Sequence, residues 1–172
     1  MTIAYNIILF QLGWFACVLG AARNLPWVGV LAAAAIIAWH LAHAARPWRE
    51  LGLIAMAAAI GTVFETLLVR SGWVSFGSGP QLVVSAPIFM IALWANFATT
   101  LNVSLRWLRG RPLLAILLGA VGGPAAYYSG ARLGAMDLIA PLPALGSIAA
   151  GWGVMTPLLL NLAQRFDGYA RA

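Results

Sequence analysis

The chain has 172 residues, of which 63% are hydrophobic and 8% are charged, and its formal net charge is +6. A soluble domain carries roughly a quarter charged residues, so ten arginines and four acidic residues are too few to cover a water-soluble fold of this length. A basic excess can indicate nucleic-acid binding. Here the arginines lie between apolar runs, so we expect no nucleic-acid partner and instead contact with anionic lipid headgroups.

Six apolar runs follow one another along the chain. Each is close to the length of about 20 residues that spans a bilayer as a helix. We therefore predict a single all-α domain over residues 1–172, a polytopic transmembrane bundle with helices at 5–22, 26–44, 50–69, 84–105, 112–129 and 144–164. The first run has no basic segment before it, so we expect a retained helix rather than a signal peptide.

The arginines also predict the orientation of the bundle, because cytoplasmic loops carry the excess of basic residues. With six helices, one side holds Arg46, Arg49, Arg106, Arg109, Arg111, Arg165 and Arg171, and the other holds Arg23, Arg70 and Arg132. We therefore expect both termini in the cytoplasm. Trp27 and Trp73 would then lie at the outer interface, and Trp48 and Trp107 at the inner one, as in an aromatic belt.

Glu65 is the one acidic residue that falls well inside a predicted helix. A charged residue at mid-membrane costs about 2.5–3.5 kcal/mol on insertion scales, and such residues usually face the bundle interior or a cavity. Three interpretations stay open. Glu65 is a proton carrier, acid–base group or cation site; it forms an ion pair with Arg70 or Arg132; or it is a protonated carboxyl bonded to a neighbour.

A polar face runs along the fourth predicted helix, where Asn96, Thr100 and Ser104 recur at every fourth position. In lipid, such side chains bond across helices. They predict either contacts that hold helices together or the polar wall of a cavity.

The fifth predicted helix carries small residues and two tyrosines. The spacing of Gly119, Gly123, Gly130 and Gly134 predicts close helix packing, within the chain or in an oligomer. Tyr127 or Tyr128 could reach Glu65, which we expect at similar depth, although an interfacial tyrosine can simply anchor a helix. The candidate intramembrane polar site therefore consists of Glu65, Asn96, Thr100 and Tyr127.

Known motifs for metal, cofactor or hydrolytic chemistry do not occur in the sequence. His40 and His43 are not spaced as a helical metal pair, and Cys17 is the single cysteine. We therefore predict no metal, no cofactor and no disulfide, and the pattern leaves open whether the protein is an enzyme.

The fourth and fifth helices resemble a bacterial domain-of-unknown-function family of small polytopic inner-membrane proteins. The residues that carry the resemblance are Trp94, Phe97, Ala98, Thr100, Leu101, Ser104, 105–108, Gly123, Pro124, Ala126, Tyr127, Gly130, Leu133 and Gly134. The likeness extends to the region of Glu65. The family's genes often lie beside cyclopropane-fatty-acid-synthase-like methyltransferases. The resemblance thus implies an inner-membrane location and a role near membrane lipid modification or stress, and it assigns no catalytic residue.

Three functional classes remain after the sequence is read. The first is an uncharacterised multi-pass protein that acts on membrane lipid or a small apolar substrate. The second is a small transporter in which Glu65 couples to a proton. The third is a structural subunit that binds a membrane partner protein or a second copy through its glycine faces.

Overall fold

The computed structural model describes residues 2–77 and 86–170, and it is 77% helical. Its six α-helices are α1 (Ile3–Ala22), α2 (Pro26–Ala42), α3 (Pro47–Arg70), α4 (Ile88–Leu101), α5 (Pro112–Arg132) and α6 (Pro141–Arg165). A 3₁₀ helix (Arg106–Leu108) follows α4, and two short strands, β1 (Val74–Ser75) and β2 (Asp137–Leu138), pair antiparallel. The predicted all-α fold with six helices is confirmed for these residues.

Four helices, α1, α3, α5 and α6, are long and apolar enough to cross a membrane, which is compatible with a membrane protein. The other two are shorter, with 17 residues in α2 and 14 in α4. Both α3 and α6 begin earlier than predicted, because Pro47 and Pro141 occupy first helical positions, where the missing N–H costs no helical hydrogen bond. Helix α5 runs on to Arg132, beyond its predicted end.

Helix α4 departs most from the prediction. Its predicted start at residue 84 lies outside the described residues. Its predicted end at Leu105 is wrong, because the backbone N–H groups of Val103 and Leu105 both bond to the carbonyl of Thr100 and close a turn. Ser104 therefore lies beyond the helix, and the polar face on α4 itself is limited to Asn96 and Thr100.

The helices form a four-helix body and a hairpin. Helix α4 is the central element, since it packs against α1, α2, α3 and α6. Helices α5 and α6 pack mainly against each other, and α6 makes the smaller contacts with α3 and α4. The position of α4 explains why Asn96 and Thr100, polar residues on an apolar helix, are both buried.

Glycines set the closest helix contacts. A methyl group on Gly29 of α2 would overlap the backbone of Cys17 on α1, and one on Gly119 or Gly123 of α5 would overlap Trp152 on α6. Gly119 and Gly123 thus allow packing within the chain.

The other predicted pair of packing glycines behaves differently. Gly130 contacts the side chain of Met136. Gly134 lies past the end of α5 with a φ of 87°, so it allows a turn, and its predicted role in helix packing is wrong.

Each end of the bundle is tied together. At the end that carries β1 and β2, the strand end, the strands join the connections after α3 and α5. The opposite end carries residues 166–170 and is called the tail end. There, Asn6 links α1 to the end of α4. Its side chain donates to the carbonyl of Thr99 at 3.1 Å and accepts from the backbone N–H of Ser104 at 3.2 Å.

Glu50, in the first turn of α3, is fully buried at the tail end and is the centre of a hydrogen-bond network. His40 of α2 lies 2.8 Å from Oε2 of Glu50. Oε1 accepts from the amide of Asn102 and from the backbone N–H of Gly168, the latter at 2.8 Å. The carboxylate thus holds the tail against the ends of α2, α3 and α4.

Asp167 holds the tail from its other side. Its Oδ2 accepts from Arg109 at 2.8 Å and from Arg106 at 2.9 Å, and Oδ1 accepts from the backbone N–H of Tyr169 and Ala170. Burial by itself raises the pKa of the Asp167 carboxyl, but these hydrogen bonds and the arginine charges outweigh burial, so the pKa lies below its usual value.

Gly29→Ala should destabilise the fold by about 1–3 kcal/mol, the usual cost of overpacking, because the added methyl meets the backbone of α1. The measurement is thermal unfolding of the purified protein in detergent. Gly146→Ala on α6 is the matched control, since nothing lies near its Cβ position, and it should keep or raise the midpoint. Equal losses in both variants would contradict the assignment of a close α1–α2 contact.

Asp167→Asn should cost about 1–3 kcal/mol at pH 7, because asparagine keeps the shape but loses the charge-assisted hydrogen bonds. The folded pKa is depressed, so this stability is present above the unfolded pKa of about 3.9 and is lost as the pH falls through the folded value. The difference in unfolding midpoint between wild type and variant should therefore shrink below about pH 4. A difference that stays constant from pH 7 to pH 3 would contradict this account.

Candidate functional site

A groove of about 650 Å³ lies between α1 and α5. Its walls come from α1 and α5, and its floor comes from α4 and α6. Ile7 and Phe15 on one wall and Leu118 and Gly122 on the other are exposed, so the groove opens along the gap between the two helices. The gap exists because α1 packs on α2 and α4, whereas α5 packs on α6. Ligand pockets typically measure about 300–1,000 Å³, so the groove can hold a small molecule.

The floor of the groove is aromatic. Trp94 of α4 and Trp152 of α6 stack with ring centroids 4.5 Å apart, and Phe97 meets Trp152 edge-on at 5.1 Å. Gly61 on α3 makes room for Trp94, because a methyl group there would overlap the indole ring. The stacked rings give the groove a rigid apolar floor. Polar groups held by this floor therefore have fixed positions.

Glu65 of α3 lies directly behind this floor and is fully buried. Its Oε1 accepts a hydrogen bond from the indole N–H of Trp94 at 2.9 Å and a second from the hydroxyl of Tyr127. Its Oε2 has no hydrogen-bond partner among the described residues. Because a buried polar atom without a partner is costly, Oε2 is where a proton or a bonding group is needed.

The ion-pair interpretation of Glu65 does not fit the described residues, where neither Arg70 nor Arg132 pairs with the carboxylate. The two hydrogen-bond donors come from α4 and α5. Both Trp94 and Tyr127 also line the groove. The carboxyl of Glu65 is therefore linked to the groove through two side chains without lining it.

The four predicted polar residues are all buried, but the structure brings only two of them together. Tyr127 bonds to Glu65. Asn96 instead donates to the backbone carbonyl of Phe10 at 3.0 Å and joins α4 to α1, and its Oδ1 has no described partner. Thr100 lines the groove, but its hydroxyl bonds to the carbonyl of Phe97 in its own helix.

The site brings together two acid–base groups, the hydroxyl of Tyr127 and the carboxyl of Glu65. The Tyr127 hydroxyl can pass a proton between the groove and Glu65, since phenol and carboxyl both give and accept protons. Within residues 2–77 and 86–170, no three His, Cys, Asp or Glu side chains lie close enough together to hold a metal ion. His40 bonds to Glu50 at the tail end, and His43 bonds to the carbonyl of Trp39.

Sequence reasoning missed several groups that the structure brings to the groove or to the tail end. Trp94 and Trp152 bring indole N–H donors into apolar helices. A tryptophan away from the helix ends is a usable signal of a polar contact, because its N–H needs a partner when it is buried. Glu50 and Asp167 lie next to predicted helix ends, where an acidic residue is expected to be exposed to solvent. Their burial depends on the folding-back of the tail, for which the sequence has no local signal.

The sequence profile of the DUF2878 family, described as a protein of unknown function, matches residues 3–158. No curated protein and no solved structure matches the chain. The match covers nearly all six helices, including every residue of the groove and of the Glu65 site. The predicted membership of a domain-of-unknown-function family is thus confirmed, while the gene neighbourhood and the inner-membrane location that the resemblance implied stay predictions. The chain belongs to the DUF2878 family of proteins of unknown function.

Proposed function

We propose that this protein binds a lipid or another membrane-dissolved molecule in the groove and exchanges a proton with it through Tyr127 and Glu65, as part of membrane lipid modification or a stress response. The observation that carries the proposal is the hydrogen-bonded path from the groove, through the Tyr127 hydroxyl, to a fully buried carboxyl.

The shape of the groove supports a ligand that arrives from the bilayer. Along α5, the groove reaches from Leu118 to Gly130, which is about 18 Å at 1.5 Å per residue. One leaflet of a bilayer has about 15 Å of hydrocarbon, so the groove matches the length of a single lipid chain. Its opening between two apolar helices would face lipid, and a ligand could enter sideways without crossing water.

We also propose that the tail end faces the cytoplasm of a bacterial inner membrane. In the described residues, the tail end holds Arg46, Arg49, Arg106, Arg109, Arg111 and Arg165, and the strand end holds Arg23, Arg70 and Arg132. Arg171 lies outside the described residues. The asymmetry is the one that the positive-inside rule requires, and Trp48 and Trp107, both exposed, would lie at the inner interface.

The test of binding uses a residue that can fill the groove without disturbing the fold. A Cβ on Gly122 meets nothing within 4 Å, and Gly122 lines the groove. Gly122→Leu should therefore weaken the binding of pyrene, a fluorescent apolar probe, by at least about tenfold, equivalent to about 1.4 kcal/mol. The measurement is energy transfer from tryptophan to pyrene in detergent. Gly146→Leu, on the open face of α6 away from the groove, is the matched control and should bind pyrene like the wild type.

The test of function is a lipid profile of membranes from a deletion strain restored with the wild type, Tyr127→Phe, Glu65→Gln or Gly122→Leu. A lipid species that is lost on deletion should return with the wild type and fail to return with all three variants. Phenylalanine keeps the ring but removes the hydroxyl that reaches Glu65. Identical profiles in every strain would contradict a role in lipid modification and would direct the search to solute transport or to a structural subunit.

A further inference from the structure

Gln11 is a polar residue in the middle of an apolar helix, and it lines the groove from the α1 wall. Counted from Ile3, it lies about 12 Å along a helix of about 30 Å. Its side chain is exposed, and its amide has no hydrogen-bond partner among the described residues. In hydrocarbon, an amide with no partner is unfavourable, because lipid tails cannot replace the hydrogen bonds that water would supply.

A second polar group without a partner lies in the floor of the same groove. The indole N–H of Trp152 is buried; it lies near the Tyr127 hydroxyl but forms no hydrogen bond of normal geometry with a described residue. Two hydroxyl groups that line the groove are engaged: the Thr100 hydroxyl bonds to the carbonyl of Phe97, and the Tyr127 hydroxyl bonds to Glu65. The hydroxyl of Thr156 in the floor is buried and has no partner among the described residues. Gln11 in the wall, and Trp152 and Thr156 in the floor, therefore carry groups that can donate a hydrogen bond to a molecule in the groove.

We propose that Gln11 is the polar anchor of the molecule that occupies the groove, and that this molecule is an apolar compound carrying an oxygen acceptor, such as an ester or a ketone carbonyl, rather than a plain hydrocarbon. The inference deepens the proposed function and rests on it. Both Gln11 and Trp152 offer N–H donors, and an ester or ketone oxygen accepts from either without needing to give a proton. The eight aromatic side chains around the groove then enclose the apolar part of the ligand.

The experiment compares two competitors with the same chain, hexadecane and methyl hexadecanoate, for the displacement of pyrene from the purified full-length protein in detergent. Pyrene has no polar group, so it makes no conventional hydrogen bond to Gln11. In the wild type, the methyl ester should displace pyrene about tenfold more effectively than hexadecane, the effect of roughly one hydrogen bond. In Gln11→Leu, the two competitors should become equal when each is measured against the pyrene affinity of that variant.

Gln164→Leu is the matched control, because Gln164 is an exposed glutamine of α6 that does not line the groove. It should keep the preference for the ester. Equal competition in the wild type, or a preference that survives in Gln11→Leu, would overturn the role of Gln11 and leave groove binding intact. Failure of every probe to bind the wild type would overturn both proposals. A wild-type dimer in detergent that Gln11→Leu converts to a monomer would assign Gln11 to pairing between chains, and so would also overturn its role as a ligand anchor.

Discussion

A polar side chain inside a helical bundle in lipid has to find its hydrogen-bond partners within the protein, because the surrounding hydrocarbon supplies none. Much of the structure follows from that constraint. Helix α4 and the turn after it carry five of the twelve buried polar residues in the described part of the chain, and α4 is also the helix with neighbours on the most sides. Asn96 reaches the backbone of α1, and Asn102 reaches the carboxylate of Glu50. These two hydrogen bonds link α4 and the turn after it to α1 and α3.

Glu50 and Glu65, the two buried glutamates, differ in how their carboxyl oxygens find hydrogen-bond partners. Glu50 has partners on both oxygens, contributed by α2, the turn after α4 and the tail, and these hydrogen bonds stabilise one arrangement of the tail end. Glu65 has two donors on one oxygen and none of the described residues on the other. A satisfied carboxylate is typical of a structural role, whereas a half-satisfied one beside a groove is typical of a group that exchanges a proton.

The sequence predicts the helices well because length and hydropathy are local properties, and each apolar run is bounded by proline, glycine or arginine. The described helix end that lies farthest from its prediction is that of α4, predicted at Leu105 and found at Leu101. The turn there depends on two backbone N–H groups that share the carbonyl of Thr100, and residue type does not predict such sharing.

The candidate site is only partly predictable from the sequence. The position of a residue along its helix can be estimated from the sequence, but the direction in which its side chain points around the helix axis cannot. The similar depths estimated for Tyr127 and Glu65 predicted that the two side chains lie close together. Such estimates could not show that Asn96 turns toward α1, or that α1 and α5 stand apart and leave a groove between them. That gap results from the way in which all the helices pack, because α5 packs on α6 whereas α1 packs on α2 and α4.

The order of residues along the chain adds a constraint on how the protein is made. Both donors to Glu65, Trp94 and Tyr127, belong to segments synthesised after α3. When α3 emerges from the ribosome and partitions into the bilayer, its carboxyl has neither donor available. An ionised glutamate is expensive at that depth, so α3 enters lipid with Glu65 carrying its proton, or waits at the insertion machinery until α4 and α5 arrive. On either route, Glu65 is placed in lipid only with a proton on its carboxyl or with both of its hydrogen-bond donors in reach.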